Sequence, residues 1–148
     1  MRIIQSPSEM RDFGIALSKS LKAGDLIVLT GPLGAGKTAL TQGIGAGLGI
    51  SGITSPTFVI AKTYSGSIPL IHVDAYRLLD SNIRNFEFDD LDLDMSRDKA
   101  VTVIEWGGDI AARLAGDYLM IEIGFGEGEN QRTITAHNVG SRWAGFVI

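Results

Sequence analysis

Eight consecutive residues carry the most pointed chemistry in this chain: Gly31, Pro32, Leu33, Gly34, Ala35, Gly36, Lys37 and Thr38. They satisfy the pattern G-x-x-x-x-G-K-[ST], in which glycines let successive backbone N–H groups turn inward around phosphate oxygens. A helix opening at Lys37 adds its own unsatisfied N–H groups and a partial positive charge. The Lys37 ammonium reaches β- and γ-phosphates, and the Thr38 hydroxyl is a ligand for Mg²⁺. An ordinary glycine-rich strand–helix turn needs neither Lys nor Thr at these positions.

Such a loop works only between a buried strand and a helix. Leu26 to Leu29 is a wholly apolar run, the pattern of a strand buried on both faces. Leu40, Ile44 and Leu48 recur at helical spacing behind the loop and predict a helix over about 37–48. Gly43, Gly45 and Gly47 weaken that helix by about 1 kcal/mol each relative to alanine. Close packing against the sheet is the expected compensation.

A carboxylate near the metal is expected at the end of another apolar strand. Asp74 follows Ile68 to Val73, and Glu105 follows Ala100 to Ile104. Strand C-terminal ends face the ligand crevice in α/β sheets, so both qualify as catalytic or metal-binding acids. Each is equally a residue type that caps helices. No Asn-Lys-x-Asp or Asp-x-x-Gly occurs, which argues against a Ras-type GTPase, and the eight arginines are scattered rather than gathered in a kinase-like lid. ATP hydrolysis is the leading chemistry. A small-molecule or nucleoside kinase and a nucleotide-gated binding module without significant turnover stay open.

The remaining elements follow from pattern. Arg2 to Gln5 reads as a strand, and Ser6-Pro7-Ser8-Glu9 as a capping box opening a helix that Gly24 ends. Met10, Phe13, Leu17 and Leu21 form its core face. Phe58 to Tyr64 and Ile68 to Val73 predict a hairpin about Ser65-Gly66-Ser67. A short helix is expected at 109–114, a second hairpin at 119–138, and a last helical turn at 141–148. Early strand–helix alternation and later hairpins predict one α/β domain over residues 1–148, with a mixed, partly parallel sheet and flanking helices.

Composition bounds the setting. The chain has 148 residues, a net charge of −4, and no cysteine, so disulfide scaffolds and thiolate metal sites are excluded. A broad basic surface for binding nucleic acid is not expected from that charge. Neither a signal peptide nor an apolar run long enough to span a bilayer is visible, and a cytoplasmic, membrane-independent protein is expected. Five acids between Glu87 and Asp94 read as a solvated face or a docking surface. Asp90 to Asp94 imitates the start of a calcium loop, but Met95 replaces its required glycine.

The loop, together with Thr54-Ser55-Pro56-Thr57-Phe58, His72-Val73-Asp74-Ala75-Tyr76-Arg77-Leu78 and Ile104-Glu105-Trp106, resembles the TsaE family in order and spacing. Those proteins are P-loop ATPases of bacterial tRNA threonylcarbamoyladenosine synthesis. The resemblance covers essentially the whole chain, and His-x-Asp-x-Tyr-Arg with Ile-Glu-Trp behind a P-loop is its specific part. It implies that Thr38 and Glu105 hold Mg²⁺, that Asp74 lies near the metal and attacking water, and that residues 55–58 form a switch containing Thr57. It further implies nucleotide contacts from Gly31, Gly34, Ala35, Gly36, Lys37, Thr38 and Ala39, and partners of the TsaD and TsaB type through which alone tRNA is met. Trp106 is read as covering the nucleotide or a partner, against a core role. Arg132 matches the family's arginine at the start of its last strand; a place near the adenine and a plain surface position are equal expectations. Arg77 either faces γ-phosphate or pairs with Asp74, and His72 and His137 are read as structural. Pro32 stands where the family usually has Asp, Asn or Glu, and residues 79–99 depart from its usual Glu-rich helix.

Overall fold

The computed structural model describes residues 1–54, 61–74, 97–105 and 115–148. The expected hairpin arm 58–60, the helix at 109–114, and Thr57, Arg77, Trp106 and the acidic run all lie outside them.

The described residues form a seven-stranded mixed sheet in the order β1-β7-β6-β2-β5-β4-β3. The strands are β1 Arg2–Ile4, β2 Leu26–Thr30, β3 Ala61–Tyr64, β4 Leu70–Asp74, β5 Val101–Glu105, β6 Tyr118–Phe125 and β7 Arg132–Val139. The inner strands β6, β2, β5 and β4 run parallel. Strands β1, β7 and β3 are antiparallel additions. β2 lies between β6 and β5, and Leu26 to Leu29 are fully buried, as a two-sided strand requires.

Two helices, α1 Pro7–Ser18 and α2 Lys37–Gly47, pack together and contribute to the larger apolar core. Its strand residues, including Ile27, Leu29, Val103 and Ile121, meet helix residues Met10, Phe13, Leu40 and Ile44. The opposite sheet face carries a second cluster with Leu26, Val28, Ile71, Val73 and Ile104. α1 opens as predicted. The Ser6 hydroxyl accepts from Glu9 N–H at 3.1 Å, and the Glu9 carboxylate accepts from Gln5 N–H at 2.7 Å, one residue earlier than in the standard box.

Two expectations need correction. α1 ends at Ser18 rather than at Gly24. Between Lys22 and β2 the Asp25 carboxylate accepts the Lys22 N–H at 2.8 Å and folds the chain into a turn, in which Gly24 adopts a φ of +95°. The glycines of α2 are not spaced for the sheet. A Cβ on Gly43 would overlap the Arg11 carbonyl and one on Gly47 the Ser18 hydroxyl, so both serve the close crossing of α1 and α2. The last helical turn expected within 141–148 is confined to a 3-10 turn, Ser141–Trp143: Trp143 is buried, and Gly145 turns the backbone at a φ of +79°.

Candidate functional site

The site begins where β2 runs out. Gly31 has a φ of +148°, and a Cβ there would overlap the Ile123 carbonyl of β6, so the loop can leave the sheet this closely only as glycine. Gly36 caps α2 in the left-handed region at φ +115° and offers no side-chain cap, which leaves the first N–H groups of α2 without a capping side chain. Met10 of α1 packs behind it; a Cβ on Gly36 would stand 3.2 Å from Met10 Cε.

Lys37, 6% exposed, folds back across the loop mouth. Its Nζ donates to the carbonyls of Gly31 at 2.8 Å and Pro32 at 3.0 Å. Burial holds its pKa below the ordinary lysine value, and the negative charges of Glu105 and then Asp74 partly offset that. Those two carboxylates sit side by side because β4 and β5 are in parallel register with Asp74 opposite Glu105. β5 pairs in turn with β2, Leu29 opposite Glu105, which sets Glu105 between Asp74 and the root of the loop. Glu105 is 4% exposed and Asp74 half-buried. Thr38 is half-buried in the first turn of α2, as is Ala39 beside it.

Two further residues adjoin this end of the sheet. His72 is fully buried on β4, and its Nε2 lies 3.4 Å from Glu105 Oε2. Neither ring nitrogen has a hydrogen-bond partner among the described residues, so the ring is a neighbour of the Glu105 carboxylate rather than a hydrogen-bonded core histidine. The signal was its strand position, two residues before Asp74 on the same face. His137, by contrast, is exposed near Glu122. The second is Arg132: its Nε donates to the Ala35 carbonyl at 3.1 Å and its NH2 to the Gly34 carbonyl at 3.4 Å, against the glycine-rich loop. A small cavity of ≈ 110 Å³ opens there, with Pro7, Met10, Ala39, Asn130 and Arg132 among its walls.

Lys37, Thr38, Asp74 and Glu105 thus gather at one end of the parallel strands, with Gly31, Gly34, Ala35, Gly36, Ala39 and Arg132 around the loop. Among the described residues, no group of three or more His, Cys, Asp and Glu side chains could by itself hold a metal ion. A hydroxyl and carboxylate oxygens suit Mg²⁺, which keeps most of its waters and relies on substrate phosphates for the rest.

The family profile "Threonylcarbamoyl adenosine biosynthesis protein TsaE" matches residues 4–134. The chain belongs to the TsaE family. It is 47% identical to a Streptomyces coelicolor protein named tRNA threonylcarbamoyladenosine biosynthesis protein TsaE, across 91% of this chain and 94% of that one. The protein of the same name from Bacillus subtilis is 39% identical, with coverage of 93% and 85%. The crystal structure of Bacillus subtilis YdiB superposes with a TM-score of 0.73 at 32% identity, across 97% of this chain and 87% of that one. This family takes part in synthesis of threonylcarbamoyladenosine in tRNA. No helix among the described residues is long and apolar enough to cross a membrane.

Proposed function

We propose that this protein binds ATP with Mg²⁺ and hydrolyses it, as the nucleotide-driven subunit serving a TsaB–TsaD pair that places threonylcarbamoyl on a tRNA adenosine. The observation that carries the reading is the buried Lys37 ammonium, held on the carbonyls of Gly31 and Pro32 within the field of Glu105 and Asp74. A lysine desolvated this way gains by exchanging two neutral carbonyls for anionic phosphate oxygens.

In this mechanism the loop N–H groups and the start of α2 seat the phosphates. Lys37 swings to the β- and γ-oxygens, where negative charge concentrates as the terminal bond breaks. Thr38 and Glu105 hold Mg²⁺, which neutralises phosphate charge. Asp74, one strand further out, orients the attacking water. Phosphoryl transfer asks the protein chiefly for such positioning and charge. The cavity beside Pro7, Met10 and Ala39 takes the adenine; with no guanine-reading motif, ADP binds more tightly than GDP in a calorimetric titration. The net charge of −4 fits a protein that meets tRNA only through its partners.

Lys37→Ala tests the assignment. The expected result is a folded protein whose ATP turnover falls by about 10²-fold or more. Unchanged nucleotide affinity and turnover would reject the phosphate site. Turnover by the isolated protein is expected to be slow, since no described arginine other than Arg132 adjoins the loop, and supplying a well-placed arginine to a P-loop enzyme is worth about 10³–10⁵ in rate. Phosphate release measured alone and with a purified TsaB–TsaD pair separates the cases: no acceleration at saturating partner would reject the partnership and leave the ATPase.

A further inference from the structure

Arg132 makes four hydrogen bonds, every one to a backbone carbonyl oxygen: Ala35 and Gly34 in the phosphate loop, Glu129 and Gln131 in the turn before β7. The guanidinium also stacks 4.9 Å over the Phe125 ring. Its backbone is fixed on both sides, paired with Phe125 of β6 and Ile4 of β1. The side chain therefore spans from the rigid sheet to the tip of the loop.

We propose that Arg132 is a positioning residue that sets the loop's peptide planes for phosphate, rather than a residue that reads the base. In a trans peptide the carbonyl and the following N–H point in opposite directions. Holding the Gly34 and Ala35 carbonyls outward turns the N–H groups of Ala35 and Gly36 to the other side of the chain. That is the inner side: Ala35 N–H meets the Pro32 carbonyl at 3.1 Å, the same oxygen to which Lys37 Nζ donates. Gly34 and Gly36 on either side of Ala35 leave this stretch little side chain with which to choose between peptide orientations, and a planar fork bonded to two successive carbonyls makes the choice for it. The Gly36 N–H is oriented before the anion arrives, and the Ala35 N–H, held on the Pro32 carbonyl, has only to exchange that oxygen for one of phosphate, which lowers the ordering cost of binding.

The inference rests on the loop being a phosphate site, so the experiment separates the two. Wild type, Arg132→Ala and Arg132→Lys are titrated with Mg²⁺-ADP and with Mg²⁺-inorganic triphosphate, which has no base. Thermal melts and the amide resonances of Ala35 and Gly36 in the ligand-free proteins are recorded alongside. Both variants are expected to lose about tenfold or more in affinity for both ligands, with displaced Gly36 and Ala35 resonances and a retained fold. Loss of ADP affinity with triphosphate binding unchanged would overturn the proposal in favour of base recognition. Full affinity in Arg132→Lys would overturn it in favour of simple charge attraction. Wild type binding neither ligand would overturn the phosphate site itself, and the proposal with it.

Discussion

Two arginines flank β7, and their partners divide the molecule into a working end and a fastened end. Arg142, beyond the strand, makes a two-pronged ion pair with Asp25, at 2.9 and 2.8 Å, and donates to the Ser20 carbonyl at 2.7 Å. It lies 4.2 Å over the Trp143 ring, so one guanidinium ties the chain terminus to the turn after α1. Arg132, at the start of the strand, has no carboxylate partner among the described residues. A guanidinium paired with a carboxylate has its charge neutralised and is committed to structure. One held on carbonyls keeps its positive charge at the loop, where the proposed nucleotide would place its phosphates. The difference predicts that variants at the loop end change chemistry and leave stability nearly untouched, and that variants at the other end do the reverse.

Glu105→Gln is the strongest test of the first half. The amide keeps the shape of a buried side chain but removes the charge that, on the proposed reading, would order Mg²⁺ and its waters, so turnover is expected to fall by about 10²–10³. ADP affinity measured without Mg²⁺ stays at the wild-type value, and so does the melting temperature to within a few degrees. Should Asp74→Asn show this phenotype while Glu105→Gln does not, the two carboxylates have exchanged roles.

Arg142→Ala tests the second half. Asp25 is 4% exposed, and without its partner it keeps, among the described residues, only the Lys22 N–H. An unpaired carboxylate at that depth lowers stability by roughly 2–3 kcal/mol, less than for a fully buried pair because Arg142 is itself partly exposed. Urea denaturation reads the loss, and nucleotide affinity of the remaining folded protein is unchanged. A variant of normal stability with weakened nucleotide binding would dissolve the distinction between the ends.

The same contrast explains what could be read from the sequence. The loop is legible because its parts are contiguous and its chemistry demands Lys37 and Thr38 six and seven residues after Gly31. The strands β2 and β5 are legible because two-sided burial leaves them almost wholly apolar, with Thr102 the one polar residue before their last positions, Thr30 and Glu105. The mixed sheet followed from alternation and turn spacing. What was hidden is long-range: Arg132 meets carbonyls 97 and 98 residues earlier in the chain, and Arg142 meets Asp25 at a separation of 117. No local pattern marks such pairs, because a backbone carbonyl has no residue identity. The glycines of α2 predicted a close approach but not its partner. Only the assembled fold shows α1 there instead of the sheet.

The smallest effect sharpens the comparison most, because its residue stands near the loop without touching it. Ser6 caps α1, and removing the hydroxyl costs about 1 kcal/mol, the usual value for such a cap. α1 is also the element behind the loop: Met10, in the turn that Ser6 starts, packs at Gly36. If the loop is set chiefly from the sheet side, through Arg132, fraying the first turn of α1 leaves its donors aligned. Ser6→Ala is then expected to lower stability by that amount while affinity for inorganic triphosphate, which has no base to meet Ser6 in the cavity beside Met10, changes less than twofold. The measurement is a denaturation curve paired with a calorimetric titration. A larger loss of affinity than of stability would move the control of the loop from Arg132 to the packing of Met10 against Gly36.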